Sequence, residues 1–394
     1  MKIQVAKQDL VAALQAVGPS LGSGNPGDIS NHFLFRVVRQ KDDSWKAQVL
    51  TYTGQLCAMS PFVSNVEIED SEVDDNKVKG GHWPAFTIEG KRLKTLLKTF
   101  SPAALTLDHE GAKTKVSAPR GTQVFESLDP LRYPVWDNTL EAATSIATVP
   151  ADALGKAFSW VRLFVSDDEA SRPDLCIFES REGIIRSSNR YGAVLVTVPQ
   201  MEKSTLRVHG KDAGALIEFL SKGAGGEVEV LECDRALYLR RSDGAVFGEY
   251  RYNVKFPENN KLGMIKKDPQ WWDVPIADFD TALQFLRAGA SNDDNRLRFK
   301  AGTIKGTIAL EMERAYGGEH ATQAIPCEMG SEDGAQLRDK GFLVDHTLLA
   351  KVLGVAQGET LRFGIHQRKK SGFLRFGFAE EGVVCQMILA WLKE

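Results

Sequence analysis

Residues 206–254 read LRVHGKDAGALIEFLSKGAGGEVEVLECDRALYLRRSDGAVFGEYRYNV. A short extended run, LRVHG, precedes Ala213, Leu216, Ile217 and Leu220, which recur at i, i+3, i+4 and i+7 and so line one face of a helix. Three strand-like runs follow, EVEVLEC, ALYLRR and VFGEYRYNV, divided by the turn residues Asp234-Arg235 and Ser242-Asp243-Gly244. The segment is one strand–helix–strand–strand–strand unit.

The unit repeats. The same helical spacing holds Leu10/Ala13/Leu14/Val17, Leu93/Leu96/Leu97/Phe100, Leu154/Ala157/Phe158/Val161, Phe279/Ala282/Leu283/Leu286 and Leu349/Val352/Leu353/Ala356. The first, third and fifth faces, which share alanine in second place, are offset by 144 and 125 residues. The second, fourth and sixth are offset by 120 and 136. A large aromatic closes each pair of units, at Trp136, Phe256 and Trp391, with spacings of 120 and 135. Extended runs precede the other helices too (IQVA, FTIE, IATVP, WWDVP, FLVD), and Asp9, Asp152, Asp278 and Asp345 stand near helix starts as candidate caps. The last unit continues as LRFGIHQ, GFLRFGFA and VVCQMILAW. The expectation is an α+β chain of three repeated domains, 1–140, 141–265 and 266–394, each of two half-units. Linkers are expected at 137–145 and 257–270, and the acidic stretches 64–82 and 327–340 read as exposed loops.

Composition narrows the function. The 394 residues are 43% hydrophobic and 26% charged, with 49 basic against 52 acidic side chains. A net charge of −3 argues against coating nucleic acid through bulk positive charge. No apolar run approaches the ~20 residues that span a bilayer, and MKIQVAKQDL has no signal-peptide character. Cys57, Cys176, Cys233, Cys327 and Cys385 lie more than 50 residues apart, which excludes a CxxC pair and reads as structural thiols in a reducing cytoplasm.

The opening MKIQVAKQDLVAALQAVGPSLG and the stretch VPADALGKAFSWVRLFVSDDEASRPDLCIFESREGIIRSSNRYGAVLV, set in this threefold repeat, resemble the bacterial DNA polymerase sliding clamp, the beta processivity subunit. The family's Thr-Asp-Gly-His-Arg-Leu run falls on Ser188, Asn189, Arg190, Tyr191, Gly192 and Ala193, and its Met-Pro-Met-Arg-Leu terminus is replaced by MILAWLKE. These departures fit a divergent member, bacterial or phage-encoded, acting in the bacterial or host cytoplasm. The resemblance implies a homodimeric ring with helices inside and antiparallel sheets outside. It would encircle double-stranded DNA without sequence preference and tether the DNA polymerase and clamp loader through a short linear peptide. It implies no enzymatic activity, no cofactor and no metal.

Charge agrees with the implied inner wall. The six helices together carry +4 and the remaining chain −7, and most of the excess sits in KRLKTLLKTF. There Lys91, Lys94 and Lys98 recur at i, i+3 and i+7 opposite the leucines, a pattern that a merely solvated helix face also produces. The candidate DNA contacts are Lys91, Arg92, Lys94, Lys98, Lys156, Arg162, Arg172, Lys211, Lys222, Arg287 and Lys351.

Other motifs read as structure. Gly22-Ser23-Gly24-Asn25-Pro26-Gly27 spells G-x-G-x-x-G, but it follows a helix and leads into the strand-like HFLFRVV, opposite to a dinucleotide site. As a loop near DNA it could offer only backbone amides and Asn25. Histidines lack metal spacing, and neither a P-loop nor a G-x-S-x-G elbow occurs. Asp167-Asp168-Glu169 beside Ser171 and Arg172 reads as a polar turn. The terminal VVCQMILAWLKE has two readings: a last core strand, or one end of the family's peptide pocket. The resemblance places that pocket on or beside Leu175, Ala193, Val254, Phe256, Met387, Leu389 and Trp391. Two rivals from other classes stand beside the clamp: a β-rich repeat structural (virion) protein, and an enzyme with a novel site.

Overall fold

The computed structural model describes the whole chain except residues 41, 43, 64–65, 70–83, 102, 120, 135, 224, 258–269, 289–295, 314–319, 330–340, 368–371, 381 and 393–394. The first third runs β1 (Lys2–Ala6), α1 (Lys7–Val17), β2 (His32–Arg39), β3 (Trp45–Tyr52), β4 (Leu56–Met59) and β5 (Val66–Glu69). It continues as β6 (Ala85–Glu89), α2 (Gly90–Thr99), β7 (Ala104–Glu110), β8 (Lys113–Ala118), β9 (Gly121–Glu126) and a short α3 (Asp137–Glu141). Next come β10 (Thr144–Pro150), α4 (Ala151–Arg162), β11 (Ile177–Arg181), β12 (Ile184–Ser188) and β13 (Gly192–Thr197). They are followed by β14 (Arg207–His209), α5 (Ala213–Ser221), β15 (Glu227–Glu232), β16 (Ala236–Arg241) and β17 (Val246–Tyr250). The last third begins with β18 (Gln270–Pro275), α6 (Ile276–Ala288), β19 (Arg296–Ala301), β20 (Thr307–Glu313), β21 (His320–Pro326) and β22 (Glu328–Met329). It ends with β23 (Phe342–Asp345), α7 (His346–Leu353), β24 (Thr360–Gln367), β25 (Gly372–Glu380) and β26 (Val383–Ala390).

The six expected helices are present, and one exchange of strands is made three times. The strand before each helix leaves its own half-unit and pairs, antiparallel, with the first strand after the other helix. Thus β1 pairs β7 and β6 pairs β2; β10 pairs β15 and β14 pairs β11; β18 pairs β24 and β23 pairs β19. This exchange lets two half-units bury their helix faces in common. The result, among the described residues, is four antiparallel sheets, none closed into a barrel.

The chain forms two compact units. The first, Met1–Gly155 with Gly214–Arg251, holds the sheets β5-β1-β7-β8-β9 and β10-β15-β16-β17-β4-β3-β2-β6. Its core includes Leu10, Leu14 and Val17 of α1, Leu93 of α2, and the stacked rings of Phe35 and Phe86, 5.1 Å apart. The second, Lys156–Ala213 with Tyr252–Glu394, holds β14-β11-β12-β13-β26-β25-β24-β18-β22 and β21-β20-β19-β23. Its core gathers Phe158 with Phe178, and Phe279 with Phe299 and Phe363. No helix is long and apolar enough to cross a membrane among the described residues.

Several local expectations change. Asp345 caps α7, accepting from the Thr347 and Leu348 amides at 2.8 and 3.1 Å, whereas Asp9 lies inside α1, whose cap position is Ala6. Asp152 accepts instead from Gly225 N–H at 2.9 Å. The expected linker 137–145 contains α3 and the start of β10. Leu140 is buried there, Thr139 bonds both the Trp136 carbonyl and the Tyr238 hydroxyl, and Arg36 forks onto Asp137 at 2.8 and 3.0 Å. Of the expected loop 64–82, Val66–Glu69 is a strand on β1. Of 327–340, Glu328 and Met329 pair with β18. Residues 70–82, 330–340 and most of the 257–270 linker fall outside the described residues. The run VFGEYRYNV stops being a strand at Tyr250.

Candidate functional site

The basic helix α2 is positioned by its leucines. Leu93 and Leu97 are buried, so Lys91, Lys98 and Arg92 stand exposed on the other faces. The helix starts on Gly90 because a Cβ there would lie 2.5 Å from a Leu21 methyl. The Arg92 guanidinium lies over the Phe125 ring at 5.4 Å and 3.7 Å from Glu89. Lys94 is half-buried with its ammonium 5.5 Å from the Phe33 ring centre. Burial pushes its amine below the usual lysine range, Glu218 opposes that shift, and Lys98 adds to it.

A cavity of about 970 Å³ runs along this helix, lined by Lys91, Arg92, Lys94 and Thr95 on one side and by Gly22, Ser23 and Gly24 on the other. The glycine loop therefore faces the basic helix. Three of its amides are already engaged, however: Gly22 N–H by Ser30 O, Gly24 N–H by Asn31 Oδ1, and Gly27 N–H by Asn25 Oδ1. An anion held here would be held mainly by the α2 cations.

The remaining candidate cations divide by their partners. Lys156 pairs with both carboxylate oxygens of Glu380, at 2.7 and 2.6 Å, and lies over the Trp160 ring. Lys351 donates to the Leu163 carbonyl at 2.9 Å, just past the end of α4, where a cation offsets the helix dipole. Arg172 forks onto Asp174, 2.8 Å to each oxygen, and Lys211 is 4.0 Å from Glu169. Arg162, Lys222 and Arg287 are exposed without an ion pair among the described residues. Lys222 lines a second cavity, of about 340 Å³, with Arg241 and Asp243.

The residues expected around a peptide pocket all lie in the second unit. Strands β13 and β26 pair with Gly192 opposite Leu389 and Ala193 opposite Ile388. Because side chains alternate across a sheet, this register decides the face of each residue. Ser187, Val194, Met387, Phe376 and Phe363 form one row, and it is the helix-covered row: Ser187 donates to the Val161 carbonyl of α4, and Phe279 of α6 packs on Phe363. Met387 and Leu389 therefore point into the core, where both are buried. Ala193 lies on the opposite face. Its row reads Trp271, Gly364, Arg375, Ile388, Ala193 and Ser188.

Neighbouring rows add Phe373 beside Ala390, and Arg186 beside Leu195 and Gln386. Phe256 is buried against this face with the Arg186 guanidinium 5.0 Å from its ring, and Glu179 accepts from both Arg186 and Arg207. Tyr191, 45% exposed, stands at the rim, its carbonyl accepting from Ala390 N–H at 2.8 Å. Val254 is half-buried, and Leu175 is buried at the end of a 3-10 turn. Trp391 follows the core reading: it stacks on Phe342 at 4.5 Å and 7°. Ile388, Arg375, Phe373 and Trp271, which share the face of Ala193, are not singled out from the sequence. Strict alternation along 383–390 separates Ile388 from Met387 and Leu389, but which set shares the face of Ala193 is decided by the register with β13.

Val254 and Phe256 belong to a strap, 252–257, outside any regular element. At its start the Tyr252 hydroxyl donates to Glu169 and its ring packs 4.8 Å from His209. That hydrogen bond, with burial adding to it, raises the Tyr252 phenol to about 12. The same bond, with His209 and Lys211 nearby, lowers the Glu169 carboxyl. The acidic turn at 167–169 thus tethers the strap. Among the described residues no cluster of His, Cys, Asp and Glu could hold a metal ion.

No protein-family model matches the sequence, and no curated protein is similar to it by sequence. Solved structures are similar. The DNA polymerase III subunit beta from Pseudomonas aeruginosa matches over all of both chains with a TM-score of 0.78 at 14% identity. The DNA polymerase III beta subunit from Thermotoga maritima matches with 0.78 at 14% identity, over all of this chain and 99% of that one. The DNA polymerase sliding clamp from Bacillus subtilis gives 0.76 at 15% identity, again over all of this chain and 99% of that one. The fold of this chain is the sliding-clamp fold.

Proposed function

We propose that the protein is a DNA sliding clamp: a non-enzymatic, head-to-tail homodimeric ring of three domains per chain (1–140, 141–265, 266–394). It encircles duplex DNA and tethers a replicative polymerase. One observation carries this reading. In each half-unit a third strand follows the helix, and four of these third strands pair with one another: β4 with β17, and β13 with β26. Two third strands remain, β9 and β21, and among the described residues both are edges of their sheets. A second copy, offering β21 to β9 and β9 to β21, satisfies both edges by the same rule and closes a ring. Val124, 44% exposed on β9, is the apolar side chain such a junction would cover. A repeat structural protein has no need of a cationic helix beside a cavity, which argues for the clamp over that rival.

A closed ring holds DNA by topology, so contacts with phosphates need only be weak and non-specific, which leaves sliding unhindered. Lys91, Arg92, Lys94 and Lys98 supply the main contact, with Arg162, Lys222 and Arg287 as further cations that have no ion pair among the described residues. Lys156, Arg172 and Lys351 would first have to leave the partners they hold. The polymerase and clamp loader dock by a short linear peptide on the outer face that carries Ala193, where exposed Tyr191 and half-buried Trp271 and Phe373 offer apolar contact to its anchors.

The test is retention. Clamp placed on nicked circular DNA should stay through gel filtration and be lost when the DNA is linearised, and its free form should have a mass of about 87 kDa, twice the 43.4 kDa chain. Equal retention on linear DNA with free ends would overturn the topological mechanism.

A further inference from the structure

We infer that the peptide docking on the outer face of the β13–β26 junction carries a carboxylate that pairs with Arg375, and that this pair selects among partners. The inference rests on the docking part of the proposed function. Arg375 sits on β25 directly opposite Ile388, one strand further from Ala193, in the row that defines that face. Its other neighbour is Gly364, whose missing side chain lets the guanidinium lie over Trp271 at 5.7 Å.

Among the described residues that ring contact is the only partner of Arg375. Its Nε is buried with no acceptor, and no carboxylate pairs with it among the described residues. Other arginines of the same sheet differ: Arg186 and Arg207 share Glu179, and Arg362 forks onto Asp273 at 2.8 and 2.6 Å. A half-buried cation with an unsatisfied N–H is costly unless an acceptor arrives from outside. The contact with Trp271 does not use the guanidinium N–H groups, which leaves them available to fork onto a planar anion.

The surroundings choose the class of partner. Ile388 and Ala193 are buried beside the cation, and Phe373, Trp271 and Tyr191 present aromatic surface around it. An apolar peptide with one acidic residue complements this arrangement. A nucleic-acid backbone would set charged phosphates against the apolar remainder.

The experiment selects peptides from a random phage library on the intact protein. Those that protect the amides of residues 372–391 from hydrogen exchange are kept. Selected peptides should share an Asp or Glu at fixed spacing from their apolar residues. Replacing that acid by its amide should weaken a synthetic peptide about ten-fold or more on the native protein, as for a charge-assisted fork. The same change should cost less than about two-fold on Arg375→Gln, since the pair is already broken. Arg375→Lys, which keeps the charge but loses the fork, should fall between them, and it serves if Arg375→Gln folds poorly. Peptides that protect this face without an acid, or an acid-to-amide loss equal on both proteins, overturn the inference and leave docking intact. Loss of DNA association by Arg375→Gln with unchanged peptide binding assigns the cation to nucleic acid and also overturns it. If no peptide protects this face, the docking reading falls and the inference with it.

Discussion

Trp391 tests whether the chain end serves the core or a partner. Its ring stacks on Phe342 at 4.5 Å, and Phe342 stacks in turn on Phe299 at 5.3 Å, so the last strand is stapled to the β21-β20-β19-β23 sheet. The backbone agrees: Trp391 N–H donates to Gly372 O at 2.9 Å, and Leu392 N–H to Leu343 O at 2.8 Å. A fully buried aromatic cut to alanine costs ~3–5 kcal/mol. Trp391 is only half-buried, which scales the cost to ~2–3 kcal/mol, of which ~0.5–1.5 kcal/mol is the stacking itself. In a unit of roughly 200 residues that lowers the melting temperature by about 4–12 °C. Trp391→Ala, Phe342→Leu and the double variant, melted by calorimetry, should show coupling near the stacking value. Peptide affinity of folded Trp391→Ala should stay within about two-fold of native. An unchanged melting temperature with peptide binding lost would refute this, and would return Trp391 to the pocket.

Replacing Lys91, Arg92, Lys94 and Lys98 with alanine should weaken DNA association at low salt and flatten the log–log salt slope by at most ~3.6, about 0.9 per cation lost; fluorescence anisotropy across a salt series measures both. Val124→Asp, at an exposed position of β9, should leave melting nearly unchanged but convert an 87 kDa particle into one of 43.4 kDa by light scattering. Glu169→Gln should move the Tyr252 phenol down from about 12 toward the ordinary tyrosine value of 10, seen as a difference in alkaline ultraviolet titration. Because the folded value is the raised one, the clip's contribution to stability is whole below pH 10 and is lost as pH rises through about 12. On the acid side the lowered Glu169 carboxyl gives stability that is present above its usual value of 4.5 and lost as pH falls through its folded value.

The repeat, the six helices and the positions of most strands were legible because they depend on local spacing. Leu93 and Leu97 must lie on one side of α2 whatever surrounds them, and the lysines of KRLKTLLKTF must then lie on the others. The same logic could not say which strand pairs with which. That β1 joins β7, or that β9 and β21 alone among the third strands after the helices are sheet edges among the described residues, follows from contacts between residues more than 100 positions apart or from their absence. Register was equally out of reach. One residue along β26 separates Met387, buried under helices, from Ile388, which shares a face with Ala193, because side chains alternate sides at every step. Charge shows the limit most plainly. Composition marks Lys91, Lys156 and Lys351 alike as cations, but only the folded chain brings Glu380 to Lys156 and the Leu163 carbonyl to Lys351, while leaving Lys91 exposed beside a cavity. Periodicity is set by the geometry of a single turn or strand; partnership is set by what the rest of the chain folds against it.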